Sequence, residues 1–384
     1  MATRPHPRSA AGIRSGAGNF WHRVSEGLEI HQLWSQFEKD ARSSYRLYSA
    51  GLAEREDAPP GFHRFWHLAK ALFWAILEKL TPARRVLLLL ALILLFFPAG
   101  QVSYNGDAGP VRFQFNVNLW GGLLMFVVLL LELADRVVMK RDLEIAKDIQ
   151  AWLLPGVPLQ LPGFQIGYAT RPANTVAGDY YDVILRPGAG PGQDRILFVV
   201  ADVAGKSIPA AMLMATFQAS LRTLSSTGIP LAEMVVSLNH YTCSNSMGGT
   251  RFTTAFLAEL DPATGAIEYV NAGHNAPILR RSSGEIERLE TGGIPLGILP
   301  EATHQTASAR MGANDWLAIF TDGVVEAVNT RGDEYEEERL LKLMQSSAAV
   351  APQELLRRLL ADLDAFVGNT PQHDDMTCLL LKRE

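Results

Sequence analysis

Four places in the sequence put acidic residues at the end or mouth of an apolar run. Asp202 closes the run Ile196 to Ala201 in "RILFVVADV", and Asp322 follows "AIFT" just ahead of Gly323. Asp179 and Asp182 stand after a glycine in "AGDYYDV", and Asp374 and Asp375 stand just before "MTCLLL". A carboxylate beside a buried core is costly unless it is paired or holds a cation. Taken singly, each of these is more simply a turn or cap residue. Taken together, with no cluster of basic partners beside them, they point to oxygen-only coordination of a hard cation, Mg2+ or Mn2+. Several carboxylates can hold two such ions close together, an arrangement that activates water against a phosphate ester and supports in-line displacement.

A competing chemistry is suggested by Gly205-Lys206-Ser207, which follows Asp202 between a strand-like run and a helix-like one. A phosphate-cradling loop of that kind needs a second glycine five residues before the first of these, so that the backbone can wrap the phosphate. Counting back reaches Val200, a β-branched residue in mid-strand. The nucleotide-loop reading fails there, and Gly205 reads as the turn out of the strand that carries Asp202. Other residues carry weaker signals. His274 in "NAGHNAP" is either a proton donor to a leaving group or, more simply, a loop histidine holding backbone groups. Arg171 is either a phosphate grip or a surface arginine, and Lys206 either shapes its loop or faces solvent.

The elements that must position these residues lie beyond residue 159. Strand-like runs cover 164–170, 196–202, 253–260, 266–272, 276–280, 315–321 and 376–382, and turn sequences join neighbouring ones. Helical stretches are expected at 208–225, 230–245, 335–346 and 352–367. Strands in runs with helices set apart indicate an α+β fold, antiparallel sheets covered by helices. The acidic run at 333–339 reads as the solvated start of a helix.

In order along the chain, "AGDYYD", "VADVAGKSIPAAMLMA", "NAGHNAP", "GGIPLGI", "TDGVVEA" and "HDDMT" resemble the SpoIIE-like branch of the PPM-type serine/threonine protein phosphatases. The resemblance covers about residues 140–384, and "LEIAKDIQAWLLP" is similar to the helix that precedes the catalytic domain in membrane- and sensor-linked members. It implies a PPM-type α-β-β-α sandwich, two antiparallel sheets flanked by helices, with a binuclear Mn2+ or Mg2+ centre at one edge. By that resemblance Asp202 bridges two metal ions, helped by the main-chain carbonyl of Val203. Asp179 ligates one ion and completes the catalytic pair with Asp202, while Asp322 and Asp374 complete the other ion's shell. Asp182 and Asp375 are left as outer neighbours or ligands of a transient extra ion. Ala177 and Ser207 stand where the family usually has glycine, and Ala201 where glycine is frequent; these departures touch loop shape rather than ligands.

The first half reads differently. Apolar runs at Val86 to Ala99 and Leu119 to Ala134, the second broken by Glu132, are flanked by Lys and Arg, whereas 100–118 holds one Arg and no Lys. This is the positive-inside pattern of a two-helix transmembrane hairpin with both ends in the cytoplasm. The aromatic segment 62–80 either lies along a membrane surface or packs on another helix. The first stretch, with Arg4, Arg8, Arg14 and Arg23, reads as a flexible tail. Residues 135–154 continue as a charged helix whose Val138, Ile145 and Trp152 recur every seven residues, a seam for a homodimer that Asp142 interrupts. Pro155 and Pro158 end it.

The expected organisation is thus an N-terminal helical region (1–83), a transmembrane hairpin (84–134), a linker helix (135–158) and a phosphatase domain (159–384). A net charge of -5 among 384 residues gives no basic field for nucleic acid. The two cysteines, Cys243 and Cys378, suit a reducing compartment. The expectation is a multi-pass protein of the inner membrane whose cytoplasmic domain hydrolyses phosphoserine or phosphothreonine on a regulatory protein. By resemblance that partner is an anti-sigma-factor antagonist. The rival reading is a pseudo-phosphatase, a membrane-tethered binding module without turnover.

Overall fold

The structure is a computed structural model; it describes residues 73–74, 77–96, 101–106, 109–114, 117–188, 194–246, 251–346 and 350–384. The N-terminal tail and most of the aromatic segment 62–80 lie outside these. The chain divides into two compact units, Met1–Asp135 and Arg136–Glu384.

In the first unit, helix α1 (Pro82–Phe96) is followed by a β-hairpin, β1 (Gln101–Gly106) with β2 (Gly109–Gln114), and then by α2 (Val117–Leu153). The two helices run antiparallel. Near one end Asn118 Nδ2 donates to the Leu95 carbonyl at 2.6 Å. A Cβ at Gly121 would lie 2.6 Å from the Leu95 nitrogen, so glycine is what permits that approach. Near the other end Arg84 Nη1 reaches Asp135 at 2.6 Å and Glu132 at 3.3 Å, which explains the charge inside the second apolar run. The expected pair of membrane spans needs correcting. Helix α1 has 15 residues, about 22 Å at 1.5 Å each, short of a hydrocarbon core about 30 Å thick. Among the described residues one helix is long and apolar enough to cross a membrane. It is the 37-residue α2, with mean hydropathy 2.1 in its apolar window. A multi-pass arrangement is therefore not supported.

The second unit is a four-layer sandwich. One sheet has the order β10-β7-β6-β5-β4, made of Gly292–Gly293, Ala266–Ala272, Thr253–Leu260, Arg195–Val203 and Asp179–Arg186, with β11 (Ala307–Arg310) also on β7. The other has the order β3-β13-β12-β8-β9, made of Phe164–Arg171, Met376–Arg383, Trp316–Phe320, Ile278–Arg280 and Ile286–Arg288. All pairings are antiparallel except the two-residue contact of β10 with β7. The expected α-β-β-α sandwich is what the chain forms.

Strand β5 shows why. Its side chains alternate across the sheet, and both faces are covered. Ile196, Phe198 and Val200 enter the core between the sheets with Tyr168, Phe256 and Leu379. Leu197, Val199 and Ala201 pack under α3 (Ser207–Ser225) and α4 (Leu231–Ser244). Two buried faces explain an uninterrupted apolar run instead of an alternating one. The second sheet is covered outside by α6 (Glu336–Ser346) and α7 (Pro352–Val367), through Leu340, Met344, Leu355 and Leu359 against Trp316, Phe320 and Leu380. A single turn, α5 (Asp322–Val325), follows β12.

Candidate metal centre

The aspartates of interest collect at one edge of the sandwich. Antiparallel pairing of β4 with β5 sets Asp179, the first residue of one strand, directly opposite Asp202 near the end of the other. Asp179 is 2% exposed, and its Oδ2 accepts from Thr321 Oγ1 at 2.9 Å. Neither Asp179 nor Asp202 has an ion-pair partner among the described residues. The consequence is electrostatic. Burial, with Asp202 and then Asp375 nearby, raises the Asp179 carboxyl well above the usual range. Burial, then the charges of Asp322, Asp374 and Asp375, push Asp202 up to about 7. Those influences place all five carboxylates in one field. The Val203 carbonyl reaches the same spot, since a Cβ on Gly178 would lie 2.9 Å from it and 3.5 Å from Asp202 Oδ1.

The second sheet brings the other two. Asp322 follows β12 and opens α5; burial first, and Asp374 next, raise its pKa. The close approach is permitted by Gly323, where a Cβ would sit 2.1 Å from the Asp375 carbonyl oxygen. Asp374, at the mouth of β13, receives Lys206 Nζ at 3.0 Å, and Lys206 also donates to the His373 carbonyl. Lys206 thus belongs to this edge, which its sequence position left open. A cavity of about 80 Å³ opens beside Asp374, lined also by Gly323, Glu326, Val328 and His373.

Asp182 and Asp375 part company. Asp375 stays at the edge, 7% exposed, and its two oxygens accept from Ala173 N at 2.7 Å and Gly178 N at 2.6 Å. It holds the loop that delivers Asp179. Asp182 lies three residues further along β4, so alternation turns it to the helix-covered face. There it is fully buried and bound by Arg222 at 2.8 and 2.9 Å and by the Tyr180 hydroxyl at 2.5 Å. It is a structural ion pair away from Asp202. Arg171 is likewise occupied, by Asp364 on α7 at 2.5 and 3.2 Å. His274 is 7% exposed, and burial pushes its pKa down to about 4, leaving a neutral ring at physiological pH. Its main-chain N–H donates to Asn271 Oδ1 at 2.7 Å, which holds the loop, and a neutral ring is a poor general acid.

The turn after β5 needs unusual backbone. Gly205 has φ +112°, and a Cβ there would fall 1.5 Å from the Arg251 guanidinium, which itself donates to the Ala204 carbonyl at 2.8 Å. Ser207, where the family usually has glycine, has φ +65°, a region costly for a residue with a Cβ. Gln150, near the end of α2, is a further positioning group. Its Oε1 accepts from Ala177 N at 2.9 Å while its Nε2 donates to the Ala177 carbonyl at 2.7 Å. That glutamine is buried, and Ala177, which it clasps, stands two residues ahead of Asp179. Its only sequence signal is a polar residue in the resemblance segment "KDIQAWLL".

The donor chemistry fits hard divalent cations: oxygen donors from several carboxylates and a carbonyl, with no thiolate or imidazole among them. The raised carboxyls fit as well, because like charges gathered without a counter-charge are what a cation would relieve. Among the described residues, no three His, Cys, Asp or Glu side chains already converge at ligand distance on one point.

A family model described as Stage II sporulation protein E (SpoIIE) matches residues 192–384, half of the chain. The chain belongs to the SpoIIE family. As a member of this PPM-type, metal-dependent phosphatase family, it resembles Phosphoserine phosphatase RsbU of Bacillus subtilis (strain 168). The two are 28% identical over 246 residues, 64% of this chain and 71% of that one. Protein IcfG of Synechocystis sp. is 25% identical over 316 residues, 74% of this chain; the chain spans 49% of that relative's length. Among solved structures, the SiaA-PP2C domain of Pseudomonas aeruginosa superposes with a TM-score of 0.57 at 20% identity. That match covers 65% of this chain and 99% of that domain, and it shows the PP2C fold. Asp179 lies ahead of the residues matched by the SpoIIE model, so its placement rests on the β4–β5 register.

Proposed function

We propose that this SpoIIE-family chain is a Mn2+- or Mg2+-dependent protein serine/threonine phosphatase acting on phosphoserine or phosphothreonine of a regulatory protein. The observation that carries the reading is Asp179 set opposite Asp202, both raised in pKa and without a cationic partner, with Asp322 and Asp374 in the same field. Two divalent ions would be held by Asp179, Asp202, the Val203 carbonyl, Asp322 and Asp374. Bound there, they supply a water nucleophile at neutral pH and offset the charge that develops on the phosphate.

The chain's own residues do the positioning. Thr321 donates to Oδ2 of Asp179 and so fixes the carboxylate that stands opposite Asp202. Asp375 holds the Gly178 and Ala173 amides, so the loop ahead of Asp179 cannot drift. Lys206 orients Asp374 and carries the positive charge nearest the rim. The cavity beside Asp374 gives the residues flanking a phosphoserine a place to lie.

A regulatory phosphoprotein of the anti-sigma-factor-antagonist type is the substrate class we favour, supported by the likeness to a relative named phosphoserine phosphatase. Membrane attachment through the apolar half of α2 is supported by its length and hydropathy. A homodimer along the linker is supported by Val138, Ile145 and Trp152, which are 58%, 49% and 83% exposed on one chain. Gln150, clasping Ala177, then ties the position of α2 to that of Asp179.

The test is Mn2+-dependent release of phosphate from a phosphorylated anti-sigma-factor antagonist, with Asp202→Asn as control. Turnover lost in the variant is expected. Equal rates in the two proteins would sink the enzyme reading and leave the binding module.

A further inference from the structure

The Gly-Lys-Ser that follows Asp202 is no nucleotide loop, yet its lysine stands at the aspartate edge. Lys206 leaves the turn after β5, and its ammonium lies 3.0 Å from Asp374 Oδ2 at the mouth of β13. It also donates to the His373 carbonyl. The turn that aims the side chain is fixed. Gly205 takes φ +112°, and the Arg251 guanidinium donates to the Ala204 carbonyl at 2.8 Å.

A phosphorylated side chain brings a charge of about -1.5 to -2 at neutral pH, to an edge where five carboxylates already share one field. Cations aimed at the transferring phosphoryl group offset such charge. Three arginines near this edge are committed elsewhere. Arg171 is held by Asp364 at 2.5 and 3.2 Å, and Arg222 by Asp182 on the helix-covered face. Arg251 is turned onto the Ala204 carbonyl, beside a small cavity between α3 and α4. Among the described residues, Lys206 is the cation that forms an ion pair with a carboxylate of the centre.

The lysine has capacity left. An ammonium carries three N–H donors, and Asp374 and His373 use two. The Lys206 side chain is 50% exposed and that of Asp374 42%, so the third donor is open to an incoming ligand. Asp374 is not used up either. Its Oδ1 accepts from Asp375 N at 3.0 Å and its Oδ2 from Lys206, and each oxygen keeps a lone pair for a cation. Burial and then Asp374 raise the Asp322 pKa, and the Lys206 charge opposes that rise. The positive field thus covers both carboxylates of the second sheet.

We propose that Lys206 is a substrate-contact residue that binds a phosphoryl oxygen of the phosphoserine or phosphothreonine at the centre. This part rests on the phosphatase reading above and goes beyond orienting Asp374.

Inhibition by inorganic phosphate, measured on the full chain with Mn2+ and a phosphoserine peptide, tests it. Lys206→Met keeps the stem and removes the charge. Its inhibition constant for phosphate and its KM are expected to rise about tenfold, the loss of one charge-assisted hydrogen bond. Its kcat is expected to fall less than its KM rises. Mn2+ affinity, read from the free-ion electron paramagnetic resonance signal, is expected to change far less than phosphate affinity. Lys206→Arg is expected to recover most of the phosphate affinity. A measurement on wild type decides the matter if Lys206→Met fails to fold. With Mn2+ present, saturating phosphate should slow reductive methylation of Lys206 several-fold, as peptide mass spectrometry would show. Equal inhibition of wild type and Lys206→Met by phosphate, or methylation of Lys206 that phosphate does not slow, overturns the inference alone. So does Lys206→Met protein whose Mn2+ affinity and kcat fall together at unchanged phosphate inhibition, the mark of a lysine that only orients Asp374. Wild-type protein that releases no phosphate from the peptide overturns the phosphatase reading, and the inference with it.

Discussion

Asp202→Asn separates a metal-centre aspartate from a structural one, because the two roles predict opposite effects on stability. In the folded chain the carboxyl is pushed to about 7 from an ordinary 3.8, first by burial and then by Asp322, Asp374 and Asp375. Between those values the folded state keeps a proton that the unfolded state releases. Metal-free stability therefore falls as pH rises through that window. The gap is roughly three units at about 1.4 kcal/mol each, or about 4 kcal/mol, cut to about 2 kcal/mol by partial exposure and screening. Asparagine has the shape of the protonated acid and carries none of this penalty. At pH 8 without metal the variant should be more stable by about 2 kcal/mol, about 4 to 8 °C in melting temperature for a domain of this size. At pH 5 the difference should shrink toward zero. Added Mn2+ should stabilise wild type strongly and the variant little. Differential scanning calorimetry at both pH values, with and without Mn2+, reads all four cases. A variant that melts lower than wild type at pH 8 without metal, or gains as much from Mn2+, would refute the reasoning.

The other aspartates and their supports give contrasting outcomes. Asp182→Asn breaks the buried pair with Arg222, and half-exposure of the arginine limits the loss to about 2 kcal/mol; denaturant unfolding should show it, with Mn2+ affinity unchanged. Gln150→Ala removes two buried hydrogen bonds to Ala177, worth about 1 kcal/mol each. It should lower phosphatase turnover several-fold at limiting Mn2+, as steady-state kinetics across a metal titration would show. Ser207→Gly relieves a residue held at φ +65°, so thermal unfolding should show a gain of about 1 kcal/mol. No gain there would mean that the serine side chain makes up for its backbone.

Much of this was legible in the chain. The strands came through because β5 and its neighbours are buried on both faces, so their apolar runs are continuous. Their acidic ends stood out against that background. Alternation along β4 carries a further signal, since residues 179 and 182 are an odd number apart and face opposite sides. What local sequence did not carry was long-range pairing. The Asp179–Asp202 register joins strands 23 residues apart at that point, and Gln150 meets Ala177 across 27. The hairpin at 101–114 has only a short local signal, the turn chemistry of "YNGDAG" between β1 and β2. Flanking charge marks the two apolar runs alike, whereas length separates them: α1, at 15 residues, is too short to span.

Anomalous diffraction at the manganese edge, from crystals of the chain grown with Mn2+, tests the central claim most directly. Two peaks about 4 Å apart, set among Asp179, Asp202, Asp322 and Asp374 with the Val203 carbonyl beside them, are the expected result. A single peak elsewhere, or none at this edge under saturating Mn2+, would contradict the account.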